Sequence, residues 1–304
     1  MFVVKYRKIF YILSAFLFAV SFYGIFIYGF NQSIDFKGGT ITEVKYTKAR
    51  PMQDEIESKI AALDLGGFSV RPSGDTNYII RTKELSESER ASLISNLAVG
   101  QLSPSIERQN TIGPIAGSEL KEKAMKAIVV VVLMIVLFIT FAFRGVSKPV
   151  SSWKYGMATV IALIHDVVIP TGIFVFLGHY LGVEIDLLFV TGLLAILGYS
   201  VHDSIVVFDR VRENLSAKEG GSANPNGGRG DFEGLVGKSI NQTFARSINT
   251  SLTIFITLVA LYLFGPAATK HFALLLTIGV IVGTYSSIFV ASPLLVTFYK
   301  LQKK

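Results

Sequence analysis

The sequence contains no cysteine, which excludes a disulfide framework and any thiolate metal site. It is also poor in charge. Asp, Glu, Lys and Arg make up 17% of its 304 residues, against about 25% in ordinary soluble domains. Histidine occurs only four times, without clustering. No Gly-rich phosphate loop opens a helix, and no nucleophile stands in a recognisable set with a base. The expectation is a protein that is not an enzyme and uses no cofactor or metal.

In place of charge there is apolar sequence, 51% of the chain, gathered in long blocks. Six blocks are long enough to cross a bilayer, which takes about 20 apolar residues. They lie at about 9–30, 125–143, 155–178, 185–208, 246–265 and 271–297. The first follows Lys5, Arg7 and Lys8. It is longer than the 7–15 apolar residues or so of a signal peptide and has no A-x-A site, so 1–30 reads as an uncleaved anchor.

Lys and Arg near the span ends set orientation. One side holds Lys5, Arg7, Lys8, Arg144, Lys148, Lys154, Arg210, Arg212, Lys218, Arg229, Lys238, Arg246, Lys300, Lys303 and Lys304. The short loops of the other side hold only Lys270. Both termini are expected in the cytoplasm. The net charge of +7 is mostly this bias, so no nucleic-acid partner is expected. The cytoplasmic loop, about 209–245, contains the Gly/Ser/Asn-rich stretch "SAKEGGSANPNGGRGD" (216–231), read as a flexible connector.

Residues 31–124 separate the first two spans and have nearly balanced charge. Their pattern is β-α-β-β-α-β: strands at 39–46, 67–71, 77–83 and 105–111, helices at 51–63 and 86–98. Pro51 suits a first helical turn. Ser73-Gly74-Asp75 is a turn signal, and Ser86 with Glu89 makes a capping box. This order predicts a ferredoxin-like split βαβ domain, exported by the orientation above. The fold class is therefore a polytopic α-helical membrane protein of six transmembrane helices, with an exported ferredoxin-like α+β domain between helices 1 and 2. The remainder, 125–304, is a five-helix transmembrane domain.

Polar residues inside the apolar blocks are the candidate sites. Asp203 lies one to two turns inside the fourth span. A carboxylate there costs roughly 2.5–3.5 kcal/mol on insertion scales, and it marks an ion or proton role or a structural polar contact. His165-Asp166 near the middle of the third span carries the same cost. Asp166 is either interhelical glue or part of a relay. Arg246 opens the fifth span, as a snorkelling anchor or as the cation that sets the protonation of Asp203. Gly192, Ala195 and Gly198 suit close packing of the fourth span. Asp35 and Gly38-Gly39, at the exit of the first span, read locally as a tight turn.

Five motifs in order, "IDFKGGT" (34–40), "IGPIAGSEL" (112–120), "HDV" (165–167), "GYSVHDSIVVFDRVREN" (198–214) and "NQTFARSINTS" (241–251), resemble the SecF family. These are the smaller membrane subunits of bacterial SecDF protein-export complexes, of the resistance-nodulation-division superfamily. Two positions depart from the family pattern: His202 stands where Asn is usual, and Ser204 where Thr is common. The resemblance implies a plasma-membrane protein partnered with SecD and the SecYEG channel. Such a protein uses the proton-motive force to draw preproteins outward. It makes Asp203 a proton-pathway carboxylate, Arg246 the cation that modulates it, and His202 a neighbour able to alter its pH response. Two other classes remain: a half-transporter exporting a small molecule or lipid, and an assembly scaffold whose polar residues only pack.

Overall fold

The computed structural model describes residues 2–47, 50–99, 102–144, 150–220 and 232–302. The elements in order are α1 (Phe2–Lys5), α2 (Arg7–Tyr28), α3 (Ile34–Lys37), β1 (Gly39–Lys45), α4 (Gln53–Ala61), β2 (Ser69–Ser73), β3 (Asn77–Thr82), α5 (Glu87–Asn96), β4 (Ser105–Ile112), α6 (Pro114–Ala142), α7 (Ser152–Leu181), α8 (Leu187–Gly220), α9 (Phe232–Phe264), α10 (Ala267–Ser286) and α11 (Ser292–Gln302). Between α10 and α11 the helix widens into a π turn, Ser287–Ala291. Among the described residues six helical segments are long and apolar enough to cross a membrane, the last running from Thr269 to Gln302 through that turn.

The chain forms two compact units. One spans Gln32–Lys126 together with Glu184–Leu187. Its sheet has the order β2-β3-β1-β4, all neighbours antiparallel, with α4 following β1 and α5 following β3. This is the ferredoxin-like order. Val44, Val70, Tyr78 and Ile80 of the strands close on Ile56, Ile60, Leu93 and Leu97 of the helices, all buried. Each such aliphatic side chain contributes about 1.5–3 kcal/mol. The two tyrosine hydroxyls in this core are satisfied: Tyr46 donates to Leu97 O at 2.8 Å and Tyr78 to Pro51 O at 2.7 Å. The first helix starts at Gln53, two residues later than the sequence suggests, with Met52 as its extended N-cap. The bond from Tyr78 engages the Pro51 carbonyl and holds that residue outside the helix. The predicted capping box on α5 is formed, Glu89 N–H to Ser86 Oγ and Ser86 N–H to Glu89 Oε2.

The other unit is the helical bundle. Its helices approach at small residues. A Cβ on Gly172 of α7 would stand 2.3 Å from Ser21 Cβ of α2, and one on Gly279 of α10 would stand 2.2 Å from Ile196 of α8. Gly192 likewise meets Leu275 at 2.7 Å, whereas Gly198 faces open space and is not a packing position. Small residues let backbones come close where lipid offers no hydrophobic drive.

Three helical boundaries, the start of α6, the end of α8 and the start of α9, extend well beyond the apolar blocks. α6 begins at Pro114, because 114–124 is polar but helix-forming and carries the i,i+4 pairs Lys123–Glu119 and Lys126–Glu122. The expected flexible loop at about 209–245 is helical over 209–220 and 232–245. Those helical ends are joined by Arg210 Nε to Gln242 Oε1 at 2.9 Å and Asn214 Nδ2 to Ser239 Oγ at 2.8 Å. Residues 221–231 of the expected connector, with Arg229, and the cations Lys148, Lys303 and Lys304 lie outside the described residues. At the same end of the bundle Glu233 accepts from Arg7 at 2.9 Å and pairs with Lys300, so the start of α9 meets residues near both termini.

Candidate functional site

Asp166 on α7 is fully buried and Asp203 on α8 is partly buried. Neither contacts a lysine or arginine among the described residues. Both are held by hydroxyls. Ser286 Oγ donates to Asp166 Oδ2 at 2.6 Å, and Ser287 Oγ to Asp203 Oδ2 at 2.5 Å. Ser200 Oγ adds a second bond to Asp166 Oδ2 at 2.5 Å, and His165 Nδ1 lies 2.8 Å from Asp166 Oδ1. Among the described residues Asp166 therefore has three partners drawn from three helical segments, which offsets its desolvation.

Consecutive residues of an α-helix point about 100° apart, so Ser286, the last residue of α10, and Ser287 face two neighbouring helices. A π turn opens at Ser287. Pro293, two residues after it, lacks the N–H that would otherwise bond Phe289 O. Both the N–H and Oγ of Ser292 donate to Ser287 O, the hydroxyl at 2.7 Å, and so satisfy the widened turn. π turns concentrate at functional sites. Asp166 has its own irregularity: Pro170, four residues on, lacks the donor for the Asp166 carbonyl.

Asp203 borders a cleft between α8, α9 and α10, lined by Tyr199, His202, Thr250, Ser251 and Thr284 with it. His202 is exposed and Asp203 turns partly into the cleft. Arg246 is exposed on α9, one turn before Thr250. No ion pair joins Arg246 to Asp203 among the described residues. At about 1.5 Å per residue, Asp203 lies about 10 Å and Arg246 about 6 Å inward of the Arg210–Gln242 contact, within one turn in depth. The structure thus joins Asp166 with His165 and leaves Asp203 and Arg246 separate.

In the α+β unit, Asp35 Oδ2 accepts from the N–H of Leu187, the first residue of α8, at 2.9 Å. A carboxylate there complements the helix N-terminus. Gly38 (φ 77°) and Gly39 (φ 133°) adopt backbone that side chains disfavour. A Cβ on Gly38 would stand 2.8 Å from Pro114, and one on Gly39 would stand 2.6 Å from Thr82 O. The glycine pair is required for a crossing of backbones, beyond a turn. Arg81 Nε lies 2.9 Å from Glu184 Oε2, an ion pair by distance without hydrogen-bond alignment. Burial raises the Glu184 carboxyl and lowers the Arg81 guanidinium, and in each it outweighs their mutual attraction.

Sequence reasoning missed Ser200, Ser286 and Ser287. The available signals were "YSSIF" inside an apolar run and the prolines placed just after each site.

Residues 94–301 match the family described as protein export membrane protein SecD/SecF, C-terminal, and residues 23–49 match the SecD/SecF GG motif. The protein translocase subunit SecF of Thermobaculum terrenum is 39% identical over 310 residues, covering 97% of this chain and 93% of that protein. The protein translocase subunit SecDF of Thermus thermophilus is 34% identical over 289 residues, 92% of this chain but 36% of the longer protein. The crystal structure of SecDF from Thermus, a translocon-associated membrane protein, superposes with a TM-score of 0.81 at 31% identity, over 99% of this chain and 38% of that one.

Proposed function

The chain belongs to the SecD/SecF family of protein export membrane proteins, as a SecF-type member, and from that premise we propose that it is the SecF subunit of a SecDF complex that uses the proton-motive force to promote protein translocation through the SecYEG channel. The observation that carries the proton part is the Asp203 carboxylate. It lies within an apolar helix, opens on a cleft and, among the described residues, is held by one neutral hydroxyl with no cation against it. Its protonation and release alter what Ser287 and α8 contact, and this is the mechanical input for export.

Arg246 fits the same reading through a partner. Gln242, Arg246, Thr250, Thr253 and Thr257 form one exposed polar ridge along α9. A charged side chain such as Arg246 in an apolar span faces protein or water, not lipid, while the hydroxyls of Thr253 and Thr257 are satisfied by carbonyls of their own helix. The ridge supports an interface with SecD, whose own acid would stand opposite Arg246, so the cation modulates the pathway across the interface. His202 lies beside Asp203 and shapes its pH response. The α+β domain, 31–124, lies on the outer side of the plasma membrane and handles the preprotein; both termini are cytoplasmic. The contact of Arg7 and Lys300 with Glu233 supports a common side for the termini and the loop after the fourth span.

The test is preprotein translocation into vesicles holding the chain with SecD and SecYEG, with and without a proton gradient. Asp203→Asn keeps shape and hydrogen bonding but cannot ionise. Gradient-dependent stimulation should vanish while assembly persists. Full stimulation in this variant would remove the proton role of Asp203.

A further inference from the structure

We propose that the His165–Asp166 pair is a second proton-binding site, filled at Nε2 of His165 and linked to Asp203 through the π turn of the last span. Its place in a transport cycle rests on the proton-driven reading above; the binding itself does not.

His165 is 5% exposed. Its Nδ1 lies 2.8 Å from Asp166 Oδ1. Where Asp166 is ionised it only accepts, and Nδ1 then carries the hydrogen and Nε2 the lone pair. That Nε2 atom is buried and has no hydrogen-bond partner among the described residues. Buried polar atoms are ordinarily paired, and an exception calls for an explanation. A basic nitrogen without a donor, on a ring already bonded to a buried carboxylate, is a vacant seat for a proton. The step balances simply. A proton bonds to the Nε2 lone pair, no bond breaks, and the pair passes from a net charge of −1 to zero. A buried carboxylate that lacks a cation gains one.

The groups around the pair are few. Asp166 comes from the same helix. Tyr285 of α10 stacks on His165 with ring centroids 6.1 Å apart, and its hydroxyl is engaged by Phe10 O and Ser14 of α2. α8 contributes Ser200, with Asp203 one turn beyond and exposed His202 beside that. Among the described residues no lysine or arginine bonds to the pair.

The link to Asp203 is in the serines. Each hydroxyl has one hydrogen and two acceptors within reach. For Ser286 these are Asp166 Oδ2 at 2.6 Å and its own helix's Gly283 O at 3.1 Å. For Ser287 they are Asp203 Oδ2 at 2.5 Å and Thr284 O at 3.2 Å. Neutralising the pair weakens the hold of Asp166 on the Ser286 hydrogen, which then turns to Gly283 O. The same alternative exists one residue on for Asp203. Adjacent hydroxyls, one ending α10 and one opening the widened turn, therefore report the charge of both sites to the last span.

The measurement is nitrogen-15 NMR of the full-length chain with its SecD partner in lipid vesicles, labelled at histidine. Imidazole nitrogen shifts separate bare from protonated nitrogens. The chain has four histidines, and His165→Gln assigns the signals of interest. On acidification the bare Nε2 signal of His165 should give way to a protonated one. Asp203→Asn removes a negative charge that favours imidazolium, so the midpoint should move to lower pH. Ser286→Ala should weaken that dependence. A His165 Nε2 that keeps one protonation state across the pH range in which the complex stays folded overturns the site. A titration indifferent to Asp203→Asn overturns the link. Because the signal is read from the ring and not from export, an intact titration without gradient-dependent translocation supports this site and removes only the function proposed above.

Discussion

The hydroxyls of Ser286 and Ser287, consecutive in sequence, hydrogen-bond carboxylates on two different helices, Asp166 of α7 and Asp203 of α8. Adjacent residues of the last span thus touch both acids, the buried Asp166 and the partly buried Asp203.

Arg246 separates an anchor from a tuned cation. If it works across an interface with the partner acid, Arg246→Ala should abolish gradient-dependent translocation and Arg246→Lys should keep part of it, because a lysine is a point charge without the guanidinium fork. An anchor tolerates lysine fully. Translocation into vesicles at matched levels of complex decides between them.

Gly39 is the strictest position in the α+β unit. Gly39→Ala places a Cβ 2.6 Å from Thr82 O at a φ of 133°. Strained backbone of this kind costs about 1–3 kcal/mol. A fragment over 32–126 should melt cooperatively, and the variant should melt at a lower temperature. An unchanged melting curve would show that the β1–β3 crossing is looser than described.

Packing of α8 on α10 depends on Gly279. Gly279→Ala puts a methyl 2.2 Å from Ile196. Overpacking costs about 1–3 kcal/mol. The detergent-solubilised variant should unfold at a lower temperature, and Ile196→Ala in the same chain should restore part of the loss. Gly198→Ala, facing open space, serves as the neutral control.

The capping box predicts a pH effect. Bonds from the Ser86 backbone and hydroxyl hold the Glu89 carboxyl down at about 2, from an ordinary value of 4.5. A depressed folded value stabilises above the unfolded one. The contribution is therefore present above pH 4.5 and is lost as pH falls from there through about 2. Ser86→Ala should return the Glu89 midpoint toward 4.5, as read by carboxyl NMR of the 32–126 fragment.

Orientation is tested by labelling. A cysteine placed at Asn77 should react with an impermeant reagent on intact cells, and one at Asn226 should not. The native chain has no cysteine to interfere. Labelling at Asn226 from outside would invert the topology.

The sequence by itself determined the spans, the β-α-β-β-α-β order, the capping box and the suspicion attached to Asp166 and Asp203. These depend on runs, periods and local hydrogen bonds, and each is written within a few residues. It did not reveal where helices start or stop near polar flanks, because apolar runs mark membrane depth and not helix length; α6 begins at Pro114 and α8 reaches Gly220 for that reason. Only the tertiary structure decided which polar groups meet. Ser200 and Ser286 lie far apart in the chain and converge on Asp166 because α7, α8 and the last span pack around small residues. His165 stands beside Asp166 by adjacency in the chain, yet that its buried Nε2 meets no hydrogen-bonding group among the described residues is a property of the packed environment, which no spacing in a sequence encodes.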